Sequence, residues 1–148
     1  MSARALLLLV ALQLAGPGAV RAAEVIAGPI PATVLEVIDG DTLSVRAEIW
    51  LGQAVETRVR LAGIDTPELR GRCPAENVLA DAAHSALRNL VGDGPVTLHE
   101  IRYGTYAGRV VARVVNGATG DVSASLLAGG FALPYAGRGP RPDWCDLP

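Results

Sequence analysis

Val37-Ile38-Asp39-Gly40-Asp41-Thr42 opens the stretch that decides the fold, and Arg60-Leu61-Ala62-Gly63-Ile64-Asp65-Thr66-Pro67-Glu68 closes it. Asp39-Gly40 is a strong turn dipeptide between two apolar, β-branched runs and predicts a tight β-hairpin. Pro67 has no amide hydrogen to give a sheet and biases Thr66 towards extended geometry, so the later run ends there. Asp41 thus begins one strand, while Asp65 and Glu68 lie at the exit of another. If those strands share one small sheet, three carboxylates and the Arg60 guanidinium meet at one end. Carboxylates crowded together repel one another, and such a cluster is ordinarily relieved by a hard cation.

Outward from this stretch the pattern is mostly β. The first strand is expected at about 32–38 and the second at 42–50, where Leu43, Val45 and Ala47 alternate. Gly52-Gln53 turns the chain into a third, about 55–64, with Val59, Leu61 and Gly63 on one face. Pro74 suits the first turn of a helix and Glu76 its N-terminal end. Val78-Leu79, Ala82-Ala83, Ala86-Leu87 and Leu90 recur at helical spacing, and Gly92-Asp93-Gly94-Pro95 stops the helix. Further strands are expected at 96–101 and 109–115, then a short helix capped by Asp121 and running through Leu127. This order predicts an α+β, mainly β fold. It is a five-stranded, OB-like Greek-key barrel with one main helix and a short second one.

Before this domain, Arg4 precedes an apolar run from Ala5 to Ala15 broken only by Gln13, and Val20 and Ala22 stand at the −3 and −1 positions of a cleavage site. That is the pattern of a secretory signal peptide. The run is short of the roughly 20 residues a membrane span needs. The expected organisation is a leader at 1–22, a linker at 23–31 and a single domain at 32–148, exported to the periplasm or beyond, monomeric and free of the membrane once cleaved. All 13 basic residues are arginine; Arg4 and Arg21 leave with the leader, so 11 face 15 acids, a net charge of −4. That excludes the global positive field of a strong nucleic-acid binder and leaves only a local arginine groove. In an exported chain, Cys73 and Cys145 are expected to pair as a disulfide. A bridge closing so long a loop stabilises by about 4 kcal/mol on the chain-entropy estimate.

Two carboxylates for a metal, a third for a water and an arginine for an anion point to phosphodiester hydrolysis. With Tyr106-Ala107-Gly108-Arg109 added in order, the chain resembles the staphylococcal nuclease family from about Ala32 to Tyr135. The resemblance implies calcium as the one cofactor ion, with Asp41 and Asp65 as carboxylate ligands and Thr66 giving its backbone carbonyl. It implies that Glu68 activates or orients the attacking water, and that Arg60 and Arg109 grip the phosphate. The substrate would be DNA, with RNA a further candidate, and the products would end in a 3′-phosphate. Fixed guanidiniums aimed at the non-bridging oxygens are worth most in the transition state, where charge builds on them. Arginine's planar fork suits two phosphate oxygens at once.

Two features depart from the family pattern. Thr105-Tyr106-Ala107-Gly108 stands where the family usually has Asp-Lys-Tyr-Gly, so Ala107 replaces a tyrosine that touches a terminal phosphate. The long C-terminal helix of the best-known member has no counterpart, and the disulfide with the Trp144-Cys145 tail is expected to take over its stabilising role. Arg70 and Arg72 are candidate phosphate contacts beside Glu68, and Tyr106 and Tyr135 candidate substrate-binding rings. His84 and His99 lack partners at metal spacing, and Trp50, Trp144 and Tyr135 read as packing residues. The competing reading is a non-catalytic OB module that binds nucleic acid or a protein through a vestigial site. The presence of Asp41, Arg60, Asp65 and Glu68 together favours the enzyme.

Overall fold

The computed structural model describes residues 24–147; the expected leader lies outside them. Two long antiparallel strands, β2 (Ile30–Val37) and β3 (Thr42–Trp50), flank the quoted turn. Val37 pairs with Leu43, and the Ile38 amide donates to the Thr42 carbonyl at 2.9 Å. The Asp39 carboxylate accepts from the Asp41 amide at 2.9 Å, which sets the turn. Gly40 is needed here for space. A Cβ would come within 2.9 Å of the Thr66 side chain and of the Ala83 methyl on the main helix.

β4 (Gln53–Leu61) pairs antiparallel with β3 and parallel with β7 (Arg109–Asn116), while β6 (Val96–Tyr103) pairs with both β2 and β7. The circuit β6-β2-β3-β4-β7 returns to β6, so five strands close a barrel of the expected OB type. Leu43, Val45, Ala47, Val59, Leu61, Leu98, Ala112 and Val114 alternate inward and are buried.

The structure revises several expectations. Val25–Ile26 (β1), inside the expected linker, pairs with Arg102 and Ile101 at the edge of β6. The third strand does not run through to Ile64. It breaks at Ala62-Gly63, where Gly63 takes φ +80°, a conformation that strains any L side chain. Ile64–Asp65 (β5) then pairs with Leu133–Pro134 (β9) in a separate two-stranded sheet. The helix α1 (Pro74–Val91) buries Ala80, Ala83, Ala86, Leu87 and Val91, whereas Val78 and Leu79 are exposed. The expected stripe was therefore rotated towards solvent in its first turns. Trp50 sits at the exposed tip of the β3–β4 hairpin rather than in packing.

After β7 the short β8 (Gly120–Asp121) leads into α2 (Val122–Ala128), which packs against α1. Asp121 caps it as expected, accepting from the Ala124 amide at 3.0 Å. Cys73 and Cys145 form the expected disulfide, Cα to Cα 6.1 Å. No helix among the described residues is long and apolar enough to cross a membrane.

Candidate functional site

Barrel register sets out the arginines. Val59 and Leu61 point into the core, so Arg58 and Arg60 take the outer face of β4. In the parallel β4–β7 pair, Arg58 stands opposite Arg109 and Arg60 opposite Val111, which carries Arg109 onto the same outer face. On the other side, Thr42 pairs with Arg60, and this brings Asp41, just before β3, within reach of the guanidinium.

Arg60 holds two acids together. Its Nη1 lies 2.6 Å from the Asp41 carboxylate, and its Nη2 lies 3.2 Å from Asp65 Oδ1 and 3.4 Å from the Ile64 carbonyl. Asp41 is nearly buried, and Thr42 Oγ1 donates to it at 2.9 Å. Burial pushes the Asp41 carboxyl up to about 6. Arg60 pulls against this, while the negative charges of Asp39 and Asp65 push with it.

Asp65 is fully buried and receives a second arginine from the far end of the chain. Arg141 Nε donates to Asp65 Oδ1 at 2.8 Å and Nη2 to Oδ2 at 3.3 Å. Nη2 also reaches the Thr66 carbonyl at 3.4 Å, and Nη1 lies 2.5 Å from Glu68 Oε1. Trp144 Nε1 donates to Asp65 Oδ2 at 3.0 Å. Partial burial opposes the charge of Arg141, but its hydrogen bonds to Asp65 and Glu68 outweigh this and raise its pKa. Glu68 keeps an exposed side chain, while its amide donates to the buried Glu76 carboxylate at 3.2 Å. Glu76 also accepts from the Arg72 amide at 2.8 Å, so one helix-terminal acid shapes the loop that carries Glu68.

Arg60, Glu68, Arg109 and Arg141 line one groove of about 820 Å³, with Arg102, Tyr103, Tyr106, Tyr135 and Arg138. The Arg109 guanidinium lies 4.9 Å from the Tyr106 ring centroid, a cation–π contact. Its Nε is buried without a hydrogen-bond partner among the described residues. Tyr135 is drawn in by its amide, which donates to the Gly63 carbonyl at 3.0 Å. Arg70 and Arg72 are not in this groove. They line a neighbouring hollow, where Arg72 pairs with Asp143 of the tail at 2.6 Å. Another hollow of about 840 Å³, between β2 and α1, contains none of the expected site residues. His84 there hydrogen-bonds the Val37 carbonyl at 2.9 Å, and His99 contacts Thr97 Oγ1 at 3.0 Å.

The sequence profile described as staphylococcal nuclease homologue matches residues 58–143, more than half of the chain. The chain belongs to the staphylococcal nuclease homologue family. No curated protein matches it. The family match takes in Arg60, Asp65, Thr66, Glu68, Arg109 and also Arg141, and it begins after Asp41. Two guanidiniums link the three acids: Arg60 joins Asp41 to Asp65, and Arg141 joins Asp65 to Glu68.

The donor chemistry suits the hard cation that this family resemblance implies. Asp41 and Asp65 are buried carboxylates and Thr66 adds a carbonyl oxygen, the hard oxygen donors such an ion takes. Cys73, Glu76 and Cys145 also bring ligand atoms close together, but the two sulfurs are bonded to each other and give no thiolate. Sequence reasoning did not find Arg141 and Trp144 as partners of Asp65. The signal was present: the expected Cys73–Cys145 bridge already tied Arg141-Pro142-Asp143-Trp144 to the segment after Glu68.

Proposed function

We propose that this chain is an exported, metal-dependent nuclease that hydrolyses phosphodiester bonds of DNA, with RNA a further candidate substrate. One observation carries the reading. Arg60 and Arg109 share one face of one groove with Glu68, and the Arg109 Nε is buried without a partner among the described residues. A buried, unpaired guanidinium nitrogen is costly unless an anion completes it. A phosphodiester oxygen is such an anion, and Arg102, Arg138 and Arg141 add further guanidiniums to the same groove of a net acidic chain.

Asp41, Asp65 and the Thr66 carbonyl would hold one calcium ion. When bound, the ion supplies positive charge beside the phosphate and polarises its oxygens. Arg60 stays between the two aspartates and turns its remaining donors to the phosphate. Arg109 grips the phosphate from β7, backed by the Tyr106 ring. Glu68, exposed at the groove's edge, takes a proton from the attacking water. Tyr135 and Tyr106 offer ring faces to bases of a flexible or single strand. The charged start, apolar run and cleavage-site pattern of the N-terminus support removal of residues 1–22 on export, leaving a linker at 23–31 and the nuclease domain at 32–148. The disulfide suits an oxidising compartment. Cleavage of single-stranded DNA with calcium present and none with chelator is the expected result. Equal cleavage under both conditions would remove the metal from the reading.

A further inference from the structure

Arg141 touches the oxygens that the proposed function assigns to the ion and to the water. It reaches both oxygens of Asp65, the Thr66 carbonyl and Glu68 Oε1. A guanidinium and a divalent ion repel strongly at such range and compete for the same lone pairs. We propose that the Arg141 guanidinium and a divalent cation are alternative occupants of one donor set, so that Arg141 sets this chain's affinity for the cation. The inference rests on reading Asp65 and Thr66 as cation ligands.

Three ties hold the arm in place. Cys145 is bonded to Cys73, Trp144 donates to Asp65, and Asp143 pairs with Arg72. A tethered ligand acts at a high effective concentration, so the guanidinium competes without any cost of bringing it from solution. The two partners differ in mobility. Asp65 is fully buried, whereas the Arg141 side chain is 42% exposed and can swing into water once displaced. Asp65 then keeps Arg60 and Trp144 as partners, so displacing the arm does not leave a buried carboxylate unpaired. The apparent affinity for the ion is its intrinsic affinity scaled by the fraction of molecules in which the arm is out. Removing the arm removes that factor.

The test is a calorimetric titration of the disulfide-bonded protein with calcium chloride, comparing wild type, Arg141→Gln and Asp65→Asn. Arg141→Gln is expected to bind calcium about tenfold more tightly or better, and Asp65→Asn not to bind. Arg141→Lys, which keeps the charge and loses the fork, should fall between wild type and Arg141→Gln. Melting supplies a second readout. Without calcium Arg141→Gln should melt below wild type, and saturating calcium should narrow or reverse that gap. Calcium binding by wild type that is equal or weaker in Arg141→Gln would overturn the competition while leaving the cation reading intact. No calcium binding by either wild type or Arg141→Gln would overturn both.

Discussion

Trp144 Nε1 donates to Asp65 Oδ2 at 3.0 Å, joining two buried residues 79 positions apart in the chain. The bond satisfies an oxygen of a carboxylate that has no access to water, so the C-terminal tail is part of the site's structure. Trp144→Phe preserves most of the packing and deletes the donor. It is expected to cost about 1–3 kcal/mol, read as a lower urea midpoint at an unchanged m value. An unchanged midpoint would mean that the Trp144 bond does not support Asp65.

The bridge that positions this tail closes a 72-residue separation. Replacing Cys73 and Cys145 together by serine should lower stability by about 2–4 kcal/mol. Reductant should depress the wild-type melting temperature and leave the double variant unmoved. A melting temperature indifferent to reductant would show that the bridge does not stabilise the domain.

Much of the barrel was legible in the sequence because its signals are local. Leu43, Val45 and Ala47 alternate, Asp39-Gly40 turns, Pro74 starts a helix and Asp121 caps one. The errors fall where tertiary contact decides. Val25–Ile26 is too short to read as a strand until the edge of β6 is there to pair with. The α1 stripe differs from its hydropathy pattern because the small residues Ala80, Ala83 and Ala86 face the core, while the larger Val78 and Leu79 do not. Arg60, Asp65 and Glu68 stood together in sequence, but the arginine and tryptophan that complete Asp65 come from the tail. No periodicity encodes a contact of that range; only the cysteine pair hinted at it.

Asp41 gives a pH signature. Its carboxyl is raised from 3.8 to about 6, chiefly by burial. Folding therefore favours the protonated form. That contribution is whole below about 3.8, fades as the pH rises and is lost above about 6. In chelator, wild type should lose stability relative to Asp41→Asn across this range. Calcium should restore it, and should bind more weakly below about 6, where the proton competes. A wild-type-to-variant difference that stays flat with pH would contradict this.

Arg109 separates activity from stability. Its Nε has no hydrogen-bond partner among the described residues, and its ring contact is with the exposed Tyr106. Arg109→Ala should lower kcat/KM for single-stranded DNA by about 10²–10³-fold, with little change in melting temperature. A large stability loss with normal activity would make Arg109 a structural residue.

On the proposed function, Glu68, beside Asp65 and Arg60, serves hydrolysis of a phosphodiester. The most direct test is cleavage of single-stranded DNA by wild type and by Glu68→Ala, side by side in calcium and in chelator. Calcium-dependent cleavage by wild type, falling about 10²-fold or more in the variant, is the predicted result. No cleavage by folded wild type, or equal cleavage by Glu68→Ala, would contradict it and make this chain a binding module.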